Sequence, residues 1–319
     1  GAGARDHGIV RFLRRNLHNI GMPVAVLLLC IVFAATSEYF LTVQNFRNIG
    51  LQAAALAAVA FGQTLVVLTG GLDLSVGSVV ALVSVVSALA MIAFGVPVGI
   101  LLGLATGAAI GLVNGLVVTR LRVFPFIATL AMLSIAAGLA LNISGGTPVA
   151  GVPREFAVIA WTRVAGVPVP LLVSLILLAL VFLFLRYHRV GRDIYAVGGN
   201  AQAARLSGIA TDRAIVMAYT LSSLCAAVGS LILTARVGSG QPTLGTSLPL
   251  ESVAAVVLGG VSLFGGRGAV INVAMGVAFV SVLSNGLNLL NVSSYTQMMV
   301  IGLALILAVA LDRRFAVRD

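Results

Sequence analysis

Nine consecutive residues, Gly70-Gly71-Leu72-Asp73-Leu74-Ser75-Val76-Gly77-Ser78, contain the one acid between positions 48 and 119. A carboxylate and two hydroxyls at this spacing, between apolar runs, allow two kinds of chemistry. Asp73 or Ser75 can accept a backbone N–H where a helix begins. The acid can also line a polar route, because acids at membrane depth are costly and tend to be functional. The two roles are compatible. Glu251, two residues after Pro249 at the start of a short apolar run, poses the same choice. Further on, Ser281, Asn285 and Asn288 fall at i, i+4 and i+7, and so share one helix face, with Ser284 and Asn291 nearby. Sugar hydroxyls are recognised by neutral donors and acceptors, which Asn and Ser provide. The same stripe can instead join one helix to another by hydrogen bonds.

Other chemistry has no residues to carry it. The chain contains no lysine, so it cannot form the Gly-x-x-x-x-Gly-Lys phosphate loop. Any ATP hydrolysis must come from another subunit, and no cofactor of this chain is expected. There is no His-Glu-x-x-His and no Gly-x-Ser-x-Gly; His7, His18 and His188 all lie in polar flanks. No catalytic or metal-binding set is expected. Cys30 and Cys225 both sit in apolar runs, which argues against a structural disulfide.

Residues 187–213 form the longest polar interval. Within it, Asn200 can cap and Gly208 can stop a helix of about two turns. So short a helix is marginal alone in water. Its Ala203 and Ala204 face therefore points to docking against a partner, a plain surface loop being the alternative. Arg205 is its one charge, free to pair with an acid of that partner or to remain solvated.

These residues must be held by membrane helices. Of 319 residues, 60% are apolar and 9% charged; a typical soluble chain is about 25% charged. A soluble enzyme, a disordered chain and a disulfide scaffold are excluded. A span needs roughly 20 apolar residues, and a charge at its centre costs about 2.5–3.5 kcal/mol. Charge-free intervals therefore count the spans. Residues 16–37, 48–72, 123–153, 164–185 and 214–235 hold one each, and 74–119 and 268–311 hold two each, broken near Gly95-Val96-Pro97 and Asn291-Val292-Ser293. Residues 252–266 are too few for an upright crossing and predict a short, tilted or re-entrant helix. The expectation is an all-α polytopic membrane protein of about ten transmembrane helices.

All 19 basic residues are arginine, giving a net charge of +10. With the N-terminus inside, the segments expected in the cytoplasm hold 15 of them and the opposite side only Arg47, Arg154, Arg163 and Arg236. This positive-inside bias puts both termini in the cytoplasm and explains the charge without nucleic acid. It divides the chain into a cytoplasmic segment 1–19, a transmembrane domain 20–311 with its cytoplasmic loop 187–213, and a tail 312–319. The first span, preceded by basic residues, reads as a permanent signal-anchor. In the fourth span Gly99, Gly103, Gly107, Gly111 and Gly115 follow Gly95 at i+4 steps. Such a stripe drifts about 40° per step around the helix, which suits close packing of neighbouring backbones.

Three segments together resemble the ribose/xylose/arabinose-type permeases of bacterial ABC importers. They are Gly70–Ser78, the Gly191–Ile209 loop, and Val257-Leu258-Gly259-Gly260-Val261-Ser262-Leu263-Phe264-Gly265-Gly266-Arg267-Gly268; Asn285-Gly286-Leu287-Asn288-Leu289-Leu290 also fits. The resemblance implies a permease subunit in the bacterial inner membrane, moving a monosaccharide by alternating access. Its implied partners are a second permease subunit (the same or a similar chain), a cytoplasmic ATPase, and a periplasmic or lipid-anchored sugar-binding protein, besides membrane lipid. It also implies that Gly199, Asn200, Ala203, Ala204, Arg205, Leu206 and Gly208 belong to a coupling helix seated in a cleft of the ATPase. A permease for a nucleoside or branched-chain amino acid, a proton-coupled secondary transporter and a membrane enzyme are the rivals. The secondary transporter needs a titratable relay inside the membrane, for which only Asp73 and Glu251, both at helix ends, are candidates, and the membrane enzyme lacks a catalytic set.

Overall fold

Backbone N–H and C=O groups at membrane depth must be satisfied within the chain, which leaves helices as the way to use apolar runs of this length. The computed structural model describes residues 21–316. The proposed cytoplasmic segment 1–19 and residues 317–319 of the tail lie outside the described residues. Five helices come first: α1 (Gly21–Thr36), α2 (Val43–Leu68), α3 (Val76–Phe94), α4 (Val96–Thr119) and α5 (Pro125–Ser144). A short helix α6 (Arg154–Ile159) and a two-stranded hairpin, β1 (Arg163–Val164) and β2 (Val167–Pro168), fill the loop before α7 (Val169–Tyr187). Then follow α8 (Arg189–Gly199), α9 (Ala201–Leu206), α10 (Thr211–Val237), α11 (Leu248–Leu258), α12 (Val270–Leu289) and α13 (Ser294–Ala316).

Seven of these, α2 to α5, α7, α10 and α12, are long and apolar enough to span a bilayer; α1, α11 and α13 add shorter apolar stretches. The charge-free interval 74–119 breaks at Gly95, and 268–311 breaks between Leu289 and Ser294. Prolines open α4, α5, α7 and α11, where a missing N–H costs nothing. Helix α13 continues through Ala316, five residues past the expected domain boundary.

Helix α2 is the axis of the fold. Of its apolar window 89% is buried, against 22% for α5 and for α7, which turn most of their surface outward. Around α2 the core gathers Val79 and Val83 of α3, Ala218 and Tyr219 of α10, Val256 of α11 and Val273 of α12. The α4 glycines decide how the third, fourth and tenth helices meet. A Cβ at Gly99 would strike Met91 and Ser87 of α3, and one at Gly103 would lie 3.1 Å from Ser87. At Gly107 it would lie 2.6 Å from Ala227 of α10, and at Gly111 and Gly115 it would meet the α10 backbone at Tyr219 and Val216. The stripe thus passes from one neighbour to the next along its length, as a 40° drift per step requires.

Helix α11 has 11 residues, about 16 Å of rise. The rest of that crossing is non-helical backbone running beside α3. Gly240 pairs with Val149, the Gln241 N–H donates to Ser84 Oγ at 3.1 Å, and Gly245 packs on Val80. The Gly245 carbonyl then reaches Gly77, beside Pro249 in the first turn of α11. Irregular backbone at this depth is tolerated where protein encloses it, and α3 with α10 provides that enclosure. Ser84 Oγ also accepts from Thr234 at 2.7 Å, tying α10 to the same point.

Candidate functional site

The break between α2 and α3 is a polar knot. Asp73 Oδ1 accepts the Ser75 N–H at 3.0 Å and the Ser75 hydroxyl at 2.6 Å. Asn114 of α4 donates to Ser75 Oγ at 2.9 Å, and Thr129 of α5 donates to the Leu72 carbonyl at 3.1 Å. In the amide orientation that satisfies both groups, Gln63 of α2 donates to the Asp73 carbonyl and accepts its N–H. Three helices, α2, α4 and α5, therefore clasp residues 72–75 at the start of α3. Asp73, Ser75, Gln63, Asn114 and Thr129 have no exposed surface. Of the two capping candidates, Asp73 holds the backbone N–H just before α3; Ser75 makes no side-chain cap and serves as donor to Asp73.

The knot has more polar atoms than partners. Asp73 Oδ2, Asn114 Oδ1, Tyr219 Oη and the hydroxyls of Ser222 and Ser223 are buried without a hydrogen bond among the described residues. Tyr219, Ser222 and Ser223 all lie on the α10 side facing α2 and α4: a Cβ at Gly71 would fall 2.7 Å from Tyr219 Oη, and one at Gly111 2.8 Å from Ser223 Cβ. Asp73 makes no ion pair among the described residues. A buried carboxylate held by hydrogen bonds alone is a site of high local field.

The other path candidates lie elsewhere. Glu251 sits in the first turn of α11, half-buried, where the positive end of the helix favours a carboxylate. Asn285 is buried and donates to Asn45 Oδ1 of α2 at 2.9 Å; Asn45 in turn donates to the Phe40 carbonyl at 3.0 Å. Asn288 accepts from Gln297 of α13 at 2.7 Å. Ser281 is buried beside them. The structure therefore does not bring the α12 stripe to Asp73; it uses two of its amides to bind α12 to α2 and α13.

The polar interval 187–213 folds into two helices, not one. The stretch before Asn200 forms α8, with Val190, Ile194 and Val197 buried at i, i+4 and i+7. The Tyr195 phenol, pushed above its ordinary pKa by burial, donates to the Gly268 carbonyl at 3.0 Å. In α9, Asn200 Oδ1 accepts the Ala203 N–H at 2.9 Å. Gly208, at φ +81°, ends the helix while the Ile209 N–H reaches back to the Ala204 carbonyl. Ala204 is buried, Gly199 and Ala203 are exposed, and Leu206 is 83% exposed. Arg205, its side chain 65% exposed, also pairs within the chain, 3.1 Å from Asp212 Oδ1 and 3.1 Å from Thr211 Oγ1. The Gly208 turn folds the start of α10 back beneath it.

Three glycine segments meet where α8 and α9 join the body. The Gly266 N–H donates to the Leu68 carbonyl at 2.9 Å. A Cβ at Gly265 would lie 2.7 Å from the Gly70 nitrogen, one at Gly266 2.6 Å from the Gly199 nitrogen, and one at Gly198 would overlap the Leu68 carbonyl. The 70–78, 191–209 and 257–268 segments, far apart in sequence, form one backbone-to-backbone node three residues from Asp73.

Comparison with known proteins matches residues 45–309 to the family model described as "Branched-chain amino acid transport system / permease component". The chain belongs to this permease family. The ribose import permease protein of Bacillus subtilis (strain 168) is 43% identical over 302 residues, 93% of this chain and 94% of that protein. The ribose import permease protein of Escherichia coli (strain K12) is 41% identical, covering 91% and 92%. The D-allose transport system permease protein of the same strain is 35% identical, covering 91% and 90%. No solved structure matches. The permease is thus a multi-pass helical protein of the inner membrane. Sequence inspection missed Gln63, Asn114, Thr129 and Tyr219. The signal available for the two amides was their isolation inside apolar runs, where each must find a partner.

Proposed function

We propose that this permease is the membrane-spanning subunit of an ATP-binding-cassette importer that moves a monosaccharide of the pentose or hexose class into the cell by alternating access. What carries the reading is the identity of 43% and 41%, over more than nine-tenths of each chain, to two proteins named as ribose import permeases. In this reading the arginine-rich end with α8, α9 and Arg267 faces the cytoplasm, and α6 with the hairpin faces out. ATP is hydrolysed by a separate subunit, since a chain without lysine cannot build the phosphate loop. A binding protein delivers the sugar to a dimer of permease subunits. Asp73, Ser75, Glu251, Ser281, Asn285 and Asn288 are the polar groups from which the route is drawn, and no cofactor is held by this chain.

Helix α9 is the contact to the ATPase: a capped two-turn projection offering Leu206, Ala203 and Asn200, with Arg205 stiffening it through Asp212. Gly208→Val forces a β-branched residue into φ > 0, at about 1–2 kcal/mol. The variant should insert normally yet lose co-purification with the ATPase.

The decisive experiment is uptake of labelled ribose, xylose, allose and leucine by proteoliposomes holding this permease, its ATPase and its binding protein. ATP-dependent accumulation of a sugar is expected. Uptake that needs no ATPase and collapses with a protonophore would overturn it. The family description favours a second reading, a branched-chain amino acid; accumulation of leucine in place of sugars would establish that one.

A further inference from the structure

A groove of about 320 Å³ opens where α7, α8 and the start of α12 converge. Its walls divide by chemistry. Phe182 and Leu185 of α7 and Val270 of α12 are apolar, whereas Arg186, Arg192 and Tyr195 are polar, the Tyr195 hydroxyl being already spent on the Gly268 carbonyl. No carboxylate lines it. Arg186 makes no hydrogen bond or ion pair among the described residues, and Arg192 uses only one N–H, to the Tyr187 carbonyl at 3.0 Å. Asp193, next to Arg192, is outside the groove, so the net charge of residues 186–193 with Arg189 is +2 (three arginines, one aspartate). Ala269 and Val270, which open the 20-residue α12, complete the wall; no side chain caps that helix, so its positive end adds to the guanidinium field.

The position of the groove names the ligand. Helix α7 is a membrane span whose outward face, Ile176, Leu180, Phe182 and Leu183, is exposed and apolar. That face leads straight into the groove at Phe182. Two guanidiniums at a membrane–water boundary, above an apolar track, match a phosphodiester headgroup with its acyl chains lying on α7. A free phosphate would match the guanidiniums alone.

We propose that this groove is a binding site for an anionic phospholipid of the cytoplasmic leaflet, its phosphodiester held by Arg186 and Arg192 and its acyl chains by the Phe182 face of α7. The proposal rests on the orientation given above only for naming the leaflet, and it is independent of which solute is carried.

The test is native mass spectrometry of the purified full-length permease, titrated with phosphatidylglycerol, with phosphatidylcholine as the neutral control. Arg186→Gln with Arg192→Gln should weaken phosphatidylglycerol binding about 30-fold, at roughly fivefold or more per arginine. Arg120→Gln, at the same end of the molecule but outside the groove, should leave it unchanged. Should the double variant fail to fold, Arg186→Gln alone, whose side chain bonds nothing in the structure, should weaken it about fivefold. Ala269→Trp, which fills the groove without touching a charge, should also displace the lipid. Equal binding by the groove variants and Arg120→Gln overturns the proposal. Competition by inorganic phosphate at constant ionic strength, without loss of binding on Ala269→Trp, would make it a free-anion site and overturn the lipid assignment. Sugar uptake plays no part in the readout, so failure here leaves the transport reading standing, and the reverse.

Discussion

Asn285 donates to Asn45 and Asn288 accepts from Gln297, so α12 spends its amides on neighbours one helix away. Around Asp73 the side chains of α2, α4 and α5 bond to residues 72–75, α10 places Tyr219, Ser222 and Ser223 alongside, and five buried side-chain atoms stay unpartnered. The first arrangement is pairwise and local to two contacts, with Asn285 Oδ1 its one buried unpartnered atom among the described residues. The second is a network about a buried carboxyl group. Interhelical amide pairs in membranes are worth about 0.6 kcal/mol on average, whereas an unmet donor beside a lost carboxylate costs about 1–3 kcal/mol for each group. Removing a side chain should therefore mean different things in the two regions.

Asp73→Leu should show the largest effect. It strips the acceptor from both the Ser75 N–H and the Ser75 hydroxyl, about 2–6 kcal/mol in all. Little monodisperse protein should survive gel filtration, while Asp73→Asn, which keeps Oδ1, should be recovered. Equal recovery of the two would reduce the knot to the same pairwise status as the α12 contacts.

Gly111→Val probes what holds Tyr219 beside the knot. Its added carbons meet the α10 backbone at Tyr219, which cannot move aside as a side chain could. Overpacking of this kind costs about 1–3 kcal/mol, so thermal unfolding should begin several degrees lower. Gly138→Ala, on a helix face where a Cβ meets nothing within 4 Å, should shift it hardly at all. Similar shifts for both would mean that the α4 seam tolerates separation.

A double-mutant cycle on Asn45→Ala and Asn285→Ala sharpens the other side. The coupling measured by unfolding should be about 0.6 kcal/mol and no more than about 1.7. A larger value would show that α12 too belongs to a network. Smallest of all, Asp212→Asn breaks the pair with Arg205, whose side chains are 65% and 54% exposed. Exposed pairs contribute about 0–1 kcal/mol, and the unfolding midpoint should stay within a degree or two.

Much of this architecture is legible in the sequence because membrane spans are written in what they omit. Charge gaps mark the helices, Gly95 and Asn291 mark the breaks, and the four-residue glycine step marks the seam on α4. Asn200 and Gly208 bound α9 through short-range cap chemistry. The knot was half legible. Asp73 announces itself as a lone acid, but Asn114 reaches Ser75 across 39 residues and Thr129 reaches Leu72 across 57, and no local pattern links them. Asn285 and Asn45 are separated by 240 residues. Helix α8 escaped because Gly191, Gly198 and Gly199 obscure its three buried apolar positions. Arg205 escaped for a different reason: Asp212 becomes its neighbour only after the Gly208 turn reverses the chain.

The seam along α4 has a mechanical corollary. Helices joined through interlocking side chains can shift by stepping from one rotamer to another, and their contact behaves like meshed teeth with play. At Gly99, Gly107, Gly111 and Gly115 there are no teeth on the α4 side; backbone lies against the side chains or backbone of α3 and α10. Such a joint has no notches to step between, so it either holds or parts. The three helices should therefore travel as one plate during a transport cycle, and α11 with α12, which meet backbone to backbone at Gly259 and Gly276, should travel as a second, so that the displacement opening the protein to either face is taken up between the two.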